Sequence, residues 1–131
     1  PNTISYTGNN RTHMVRIPDA GRFELRLMDG AANPYLMQAG VLGAGLDGIA
    51  NRRDPGKRLD INMYTDGHKL KNVRRLPLHL QDALRITDKS KALRAQLGDE
   101  FIDSYVKLKS VEWQGYMRHL SGWETANTLD C

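Results

Sequence analysis

The sequence is short of cysteine and of long apolar runs, and each shortage excludes a class of protein. Its single cysteine, Cys131, cannot form a disulfide within the chain, which excludes a disulfide-stapled fold and predicts a reducing, cytoplasmic compartment. No apolar run approaches the roughly 20 residues that a membrane-spanning helix needs. No basic and then apolar leader opens the chain, so neither a membrane partner nor secretion is expected.

What the sequence does contain is close to the composition of an ordinary globular domain. Of 131 residues, 40% are hydrophobic and 26% charged, which argues against disorder and fits one domain. Lys and Arg number 19 against 15 Asp and Glu, a formal net charge of +4. The densest basic cluster comprises His68, Lys69, Lys71, Arg74 and Arg75. With only Tyr64 nearby as a stacking aromatic, a solvated loop is favoured over a nucleic-acid partner.

The first part of the chain predicts an antiparallel hairpin. A strand is expected within residues 11–17, stopping at Pro18, and the turn formers at 19–21 lead into a second strand. From residue 22 charged and apolar side chains alternate, which places them on opposite faces of a strand. The apolar face, expected to lie against a core, comprises Phe23, Leu25 and Leu27. The charged face comprises Arg22, Glu24 and Arg26.

Helices are predicted for much of the remainder, so the expected fold class is α+β, a hairpin or sheet portion followed by a mostly helical part. Asn33-Pro34 is a typical helix start, and residues 35–50 are so apolar that we expect this helix to be buried on most sides. A short helix should carry Leu80 and Leu84. The later boundaries expected are Asp88 capping the next helix, Gly98 ending it, Asp99 to Leu120 as a longer helix, and Trp123 to Cys131 as a tail.

Two motifs that suggest cofactors are better explained by structure. Residues 43–48 match the dinucleotide-binding pattern G-x-G-x-x-G, but they lie inside the helix that starts at Asn33-Pro34, where that motif needs a preceding strand. A packing helix is therefore favoured. The four histidines, His13, His68, His79 and His119, lack the spacing of a zinc site.

The charged face has two readings that the pattern leaves open. A structural ladder of surface salt bridges is favoured on the pattern alone. In a functional face, the arginines would bind carboxylate or phosphate oxygens and the glutamate a hard cation. Arg11 and Arg16 add two anion-binding groups nearby. Their spacing puts them on opposite faces of a regular strand, so Arg11 is expected in the loop before it.

Several blocks, taken in order, resemble the catalytic core of glutamine synthetases. They are Asn10-Arg11-Thr12, Val15-Arg16-Ile17-Pro18, Arg22-Phe23-Glu24-Leu25-Arg26, Asp29-Gly30-Ala31-Ala32-Asn33-Pro34-Tyr35-Leu36 and Ala44-Gly45-Leu46-Asp47-Gly48-Ile49. The set covers roughly the first fifty residues, and the later helices resemble that family more loosely. The resemblance favours the functional reading of the charged face.

The resemblance implies an ATP-dependent ligase in which glutamate is phosphorylated on its γ-carboxylate and an amine then displaces phosphate. It implies that Glu24 is a ligand of Mg²⁺ or Mn²⁺ and that Arg26 binds the substrate glutamate. Arg11 and Arg16 would act catalytically on the transferring phosphoryl group and bind nucleotide phosphates, and Arg22 would lie near the nucleotide. Such chemistry depends on positioning and charge neutralisation.

The resemblance also leaves an alternative acceptor and implies a shared site. Residues 28–30 and the ending 127–131 are more like the type III or γ-glutamylmethylamide synthetase branch, so the amine is ammonia or methylamine. The family's other metal ligands precede this segment. Residues 1–131 are therefore expected to be the C-terminal segment of a catalytic domain, with active-site strands and the buried helix at about 1–50 and C-terminal helices at about 78–131. Alone it should be inactive. The family forms double-ring homo-oligomers, and a non-catalytic role in packing or oligomer contact is the remaining alternative.

Overall fold

The computed structural model describes residues 1–128, and its fold class is α+β, as predicted. The chain separates into two compact units, the first comprising residues 1–78 and the second beginning at His79. The predictions that concern Cys131 and the rest of 129–131 lie outside the described residues. No helix in the described part of the chain is long and apolar enough to cross a membrane.

The first unit contains a three-stranded sheet whose hairpin is confirmed. Its strands are β1 (Tyr6–Thr7), β2 (Val15–Asp19) and β3 (Arg22–Leu25), in the order β1-β2-β3. β2 pairs antiparallel with β3, and Gly21 takes a φ of +76° in the turn, which glycine adopts without steric cost. β2 starts later than predicted and includes Pro18. The sequence did not predict β1, a two-residue strand parallel to β2.

Residues 56–63 run beside β1 and are joined to it by hydrogen bonds. Tyr6 Oη donates to the Gly56 carbonyl at 2.9 Å, and the Leu59 amide donates to the Tyr6 carbonyl at 3.1 Å. Thr7 Oγ1 donates to the Asp60 carboxylate at 2.8 Å. This stretch, called the 56–63 segment below, therefore extends the sheet region by contacts that are distant in sequence.

Helix α1 (Pro34–Ala50) begins as predicted, with the Asn33 side chain accepting hydrogen bonds from the amides of Tyr35 and Leu36. The G-x-G-x-x-G residues lie within this helix, so they form no phosphate-binding loop. The expectation that α1 is buried on most sides is wrong within the described residues, where only Gly43 of this helix is buried. An apolar composition shows what a helix can bury, but not which segment covers it.

The expected core face of β3 is also wrong in part. Phe23 is 64% exposed and Leu27 is exposed as well, whereas Leu25 is half-buried. Alternation in a strand separates two faces, but it does not say whether a second layer covers the apolar one. The first unit instead buries Met63 and a set of polar side chains described below.

The second unit contains four helices within the described residues, and the first and second of them both pack on the third. The four helices are α2 (Leu80–Asp88), α3 (Lys91–Leu97), α4 (Asp99–Met117) and α5 (Gly122–Thr128). Leu84 of α2 and Ile102 of α4 are its buried apolar residues among those described. Arg94 joins α2, α3 and α4. Its guanidinium contacts the carboxylates of Asp88, Asp99 and Asp103 at 2.8, 2.9 and 2.8 Å.

Three predicted helix boundaries are wrong. The cap of α3 is Ser90, whose Oγ accepts from the Leu93 amide at 3.3 Å, because Asp88 still belongs to α2. Helix α4 ends at Met117 and not at Leu120. The expected tail contains α5, whose start has reciprocal hydrogen bonds between residues 121 and 124, a capping box that was readable in the sequence.

Candidate functional site

The pairing of β2 with β3 brings three of the predicted site residues together. Arg16 lies opposite Glu24 in the antiparallel register. Arg16 Nη1 donates to Glu24 Oε2 at 2.7 Å, and Arg26 Nη1 donates to Glu24 Oε1 at 2.5 Å. One carboxylate is thus shared by two guanidinium groups, one on each oxygen. These three residues are called the Arg–Glu–Arg network below.

The network keeps its carboxylate ionised and retains an excess of positive charge. Hydrogen bonds from Arg16 and then Arg26 lower the pKa of Glu24 below its ordinary value, against the opposing effect of desolvation. Two guanidinium groups and one carboxylate leave one positive charge uncompensated within the network. The Arg16 side chain is only 13% exposed, so this charge is partly withdrawn from solvent. Such a group attracts carboxylate or phosphate oxygens.

Arg26 retains hydrogen-bonding capacity that the described residues do not use. Its Nε atom is buried and has no hydrogen-bond partner among them. A buried N–H without an acceptor is costly, and proteins that keep one usually use it for a ligand or for water. The side chain is also 29% exposed and its Nη2 donates to none of the described residues, so Arg26 can hold a carboxylate of a substrate.

Asn9 is a member of this site that the sequence reasoning missed. Its Oδ1 accepts a hydrogen bond from Arg16 Nε at 3.0 Å and a second, short one from Arg16 Nη2. In the sequence Asn9 looked only like one of several turn formers ahead of the first predicted strand. No spacing rule signals this contact, because Asn9 lies in the irregular stretch between β1 and β2.

The other two predicted arginines do not join the network. Arg22 Nη2 pairs with Asp19 across the hairpin turn at 3.2 Å, and both side chains are exposed. Arg11 lies in the turn before β2, as its spacing predicted, and is exposed. Within residues 1–128 its side chain forms no ion pair. Both arginines are thus near the network along the chain and exposed; Arg11 has no ion-pair partner among the described residues, whereas Arg22 would exchange Asp19 for a ligand.

A cluster of buried, hydrogen-bonded polar groups anchors the chain between Arg11 and Arg16. His13 is fully buried, with Nε2 2.8 Å from the Ile61 carbonyl and Nδ1 3.0 Å from Ser5 Oγ. Since a carbonyl only accepts, Nε2 carries a proton and donates to Ile61, and Nδ1 shares the second hydrogen bond with the Ser5 hydroxyl. We call this group the His13 cluster; its members are Ser5, Asn10, Thr12, His13, Ile61 and Met63.

Two further hydrogen bonds of the His13 cluster cross to the 56–63 segment. Asn10 Nδ2 donates to the Ile61 carbonyl at 3.0 Å, and the Met63 amide donates to Thr12 Oγ1 at 3.0 Å. The Asn10 side-chain oxygen accepts from both the amide and the hydroxyl of Thr12. The backbone that carries the arginines is therefore fixed on both sides of His13. A lone histidine without metal spacing gave no sequence signal for this role.

Glu24 can act as one ligand of a metal ion, but not as a complete site. Each carboxylate oxygen has about two lone-pair positions, so each retains one beyond its arginine contact. An ionised carboxylate is the oxygen ligand that Mg²⁺ or Mn²⁺ prefers. Within residues 1–128 no group of three or more His, Cys, Asp or Glu side chains is placed to hold a metal ion. Any ion at Glu24 would need further ligands from elsewhere.

The amino-acid sequence of this chain is similar to those of known proteins. Residues 1–128 match the family model described as "Glutamine synthetase, catalytic domain". The chain is 56% identical over 130 residues to a protein named glutamine synthetase from Rhizobium leguminosarum bv. phaseoli. It is 41% identical over 133 residues to one named glutamate–methylamine ligase from Methyloversatilis universalis. In both comparisons 99% of this chain is covered, but it spans only 30% of the relative.

Solved structures agree with these sequence matches. The structure described as apo GmaS without ligand superimposes with a TM-score of 0.93 at 56% identity. The superposition covers 100% of this chain and 31% of the GmaS chain. A second, described as a GmaS/ADP complex, gives a TM-score of 0.94 at 56% identity, over 100% of this chain and 30% of that one.

Proposed function

The chain belongs to the glutamine synthetase family, a family of carbon–nitrogen ligases, and we propose that it supplies part of the site at which ammonia is joined to glutamate with ATP. In the proposed reaction a γ-carboxylate oxygen of glutamate attacks the γ-phosphorus of ATP and ADP leaves. Ammonia then attacks the acyl carbon of γ-glutamyl phosphate, phosphate leaves, and the nitrogen loses a proton. The observation that carries the proposal is the Arg–Glu–Arg network.

The network supports this reaction because phosphoryl transfer depends on positioning and on neutralising charge. We assign Arg26, with its unpartnered Nε, to the substrate glutamate. We assign Arg16 to the transferring phosphoryl group and the nucleotide phosphates, since two of its N–H groups remain free of the described partners. Glu24 fits as one ligand of Mg²⁺ or Mn²⁺. Such an ion neutralises phosphate charge when bound.

The exposed arginines take supporting roles in the same proposal. Arg11, exposed in the turn before β2, is assigned to the transferring phosphoryl group and the nucleotide. Arg22, exposed on β3, is assigned to the nucleotide. The remaining metal ligands would come from other parts of a longer synthetase chain, in keeping with the 30% of the relatives that this chain spans. Homo-oligomeric assembly and a cytoplasmic location belong to the proposal on family resemblance alone.

A second candidate uses methylamine in place of ammonia. It is favoured by the 41% identity to a protein named glutamate–methylamine ligase. The Arg–Glu–Arg network serves both reactions equally, because both pass through phosphorylation of the same carboxylate. A purely packing or oligomer-contact role is supported by exposed apolar residues alone, among them Tyr35 and Ile49 of α1 and Leu108 and Val111 of α4.

A chimeric synthetase tests the proposal. The matched 130-residue segment of this chain replaces its counterpart in the Rhizobium leguminosarum protein, and ADP release and amide formation are measured with ammonia and with methylamine. We expect turnover with a higher kcat/KM for ammonia. A preference for methylamine would select the second candidate. A folded chimera without turnover on either amine would refute both, and turnover by the isolated chain would refute the shared site.

The role of Arg26 is tested in the same chimera. Arg26→Lys keeps the charge but removes the forked hydrogen-bond geometry, so the KM for glutamate should rise roughly 10- to 100-fold. Arg85→Lys, on an exposed face of α2, is the matched control and should leave KM unchanged. Equal KM values for the Arg26 variant and the parent would contradict the assignment.

A further inference from the structure

We propose that Asn9 is a positioning residue of this ligase site: its neutral side-chain oxygen fixes the guanidinium of Arg16 without cancelling that group's charge. The inference rests on the proposed function and deepens it. Asn9 lies outside the strands and outside the motifs that carry the family resemblance.

The contacts of Arg16 define which of its donors are committed. An arginine has five N–H donors in a planar fork. Asn9 Oδ1 accepts from Nε at 3.0 Å and from Nη2, and Glu24 Oε2 accepts from Nη1 at 2.7 Å. Two edges of the guanidinium plane are thus held by different residues, which fixes its rotation. One N–H on each Nη remains for an oxyanion.

The backbone beside Asn9 is also tied to β2. The Gly8 carbonyl accepts from the amide of Asn10 at 2.8 Å and from the amide of Ile17 at 3.3 Å. Ile17 directly follows Arg16, so the acceptor and the arginine that it holds are carried by the same hydrogen-bonded stretch. Asn9 itself is exposed, whereas the Arg16 side chain is 13% exposed. The contact therefore lies at the solvent-exposed rim of the site.

The neutral charge of the asparagine separates two explanations of this contact. If Asn9 only tethers Arg16, aspartate should serve as well or better, because a charged acceptor forms the stronger hydrogen bonds. If Asn9 also preserves the excess positive charge of the Arg–Glu–Arg network, aspartate should hold the arginine but weaken phosphate binding. Alanine removes the tether and leaves the charge. Only the second explanation predicts different defects for the two substitutions.

The test uses Asn9→Asp and Asn9→Ala in the chimeric synthetase, with Asn2→Asp as a control that adds the same charge at an exposed position of the first unit. For Asn9→Asp we expect a roughly tenfold rise in the KM for ATP and in the calorimetric Kd for ADP, with an unchanged or higher Tm. For Asn9→Ala we expect kcat to fall roughly tenfold, with the Kd for ADP within threefold of the parent. The control should match the parent in each measurement.

The outcomes distinguish this inference from the proposed function. A parent chimera without turnover refutes the proposed function, and the assignment of Asn9 with it. An active parent with an Asn9→Asp variant of parental KM and parental ADP affinity refutes the charge-preserving role alone. Equal effects of Asn2→Asp and Asn9→Asp would also refute it, because the effect would then be that of net charge and not of the Arg16 contact.

Discussion

Replacing His13 should loosen the stretch that carries Arg11 and Arg16, although His13 itself touches neither arginine in the described contacts. The ring is fully buried and links Ser5 to the Ile61 carbonyl, which lies 48 residues after His13 in the chain. His13→Ala removes both bonds and leaves an unfilled space. His13→Gln can keep a donor where Nε2 lies.

The expected cost follows from what each lost bond leaves behind. The Ile61 carbonyl keeps a donor, Asn10 Nδ2 at 3.0 Å, so it is not left unsatisfied. Two lost hydrogen bonds of about 1 kcal/mol each then dominate the polar part. The cavity left by the ring adds about 1 kcal/mol or more. His13→Ala should therefore lower the free energy of local opening by about 3 kcal/mol, and His13→Gln by about 1 kcal/mol.

Hydrogen exchange followed by mass spectrometry measures this locally in the chimeric synthetase. A loss of about 3 kcal/mol corresponds to roughly 100-fold faster exchange in peptides that cover the amides of Val15 and Met63. His13→Gln should give roughly fivefold. His68→Ala, which removes an exposed histidine of the same unit, should change exchange less than twofold or so. Less than threefold faster exchange in His13→Ala would refute the anchoring role.

Three further predictions concern the ionised groups and the core of the second unit. Because its arginine partners lower the pKa of Glu24, the ion pairs of Glu24 stabilise the fold above the ordinary carboxyl pKa and are lost as pH falls through the lowered value. Urea denaturation should therefore give a difference in unfolding free energy between the parent and Glu24→Gln that stays constant from about pH 8 to about pH 5 and shrinks below. Arg94→Ala should lower the urea midpoint more than Arg85→Ala, because Arg94 contacts three carboxylates and Arg85 contacts one, at 3.4 Å. Equal shifts would refute a stabilising role of the three Arg94 contacts. Ile102→Ala should cost about 2–5 kcal/mol and Ile102→Val about 1 kcal/mol in the same assay, since Ile102 is 1% exposed.

The features that the sequence predicted are those determined over short separations. The hairpin follows from alternation and a turn around Gly21, and the hairpin places Arg16 near the charged face of the next strand, although its ion pair with Glu24, eight residues away, was not predicted. The start of α1 follows from the Asn33 cap. In each case the residues that make the contact are close along the chain, so local pattern and local geometry coincide.

The features that could not be predicted depend on contacts between distant segments. The His13 cluster joins residues about 50 positions apart, and no periodicity encodes such a pairing. The exposure of α1 and of Phe23 depends on what covers them, which hydrophobicity does not specify. Asn9 is a different case: it is near Arg16 in sequence, but its contact requires the irregular backbone between β1 and β2. Irregular segments carry few local signals, although they often hold functional side chains.

The bridging position of Glu24 explains why its proposed metal role cannot be assigned from Glu24 variants alone. Two guanidinium groups repel each other, and the shared carboxylate holds both. Removing that carboxylate would therefore disturb Arg16 and Arg26 together with any bound ion, and a loss of activity would have three possible causes. Asn9 and the free Nε of Arg26 each concern one arginine only. Variants of Asn9 and of Arg26 can therefore separate phosphate binding from glutamate binding. Any defect of a Glu24 variant that exceeds these two binding defects then reports what the carboxylate contributes as a metal ligand.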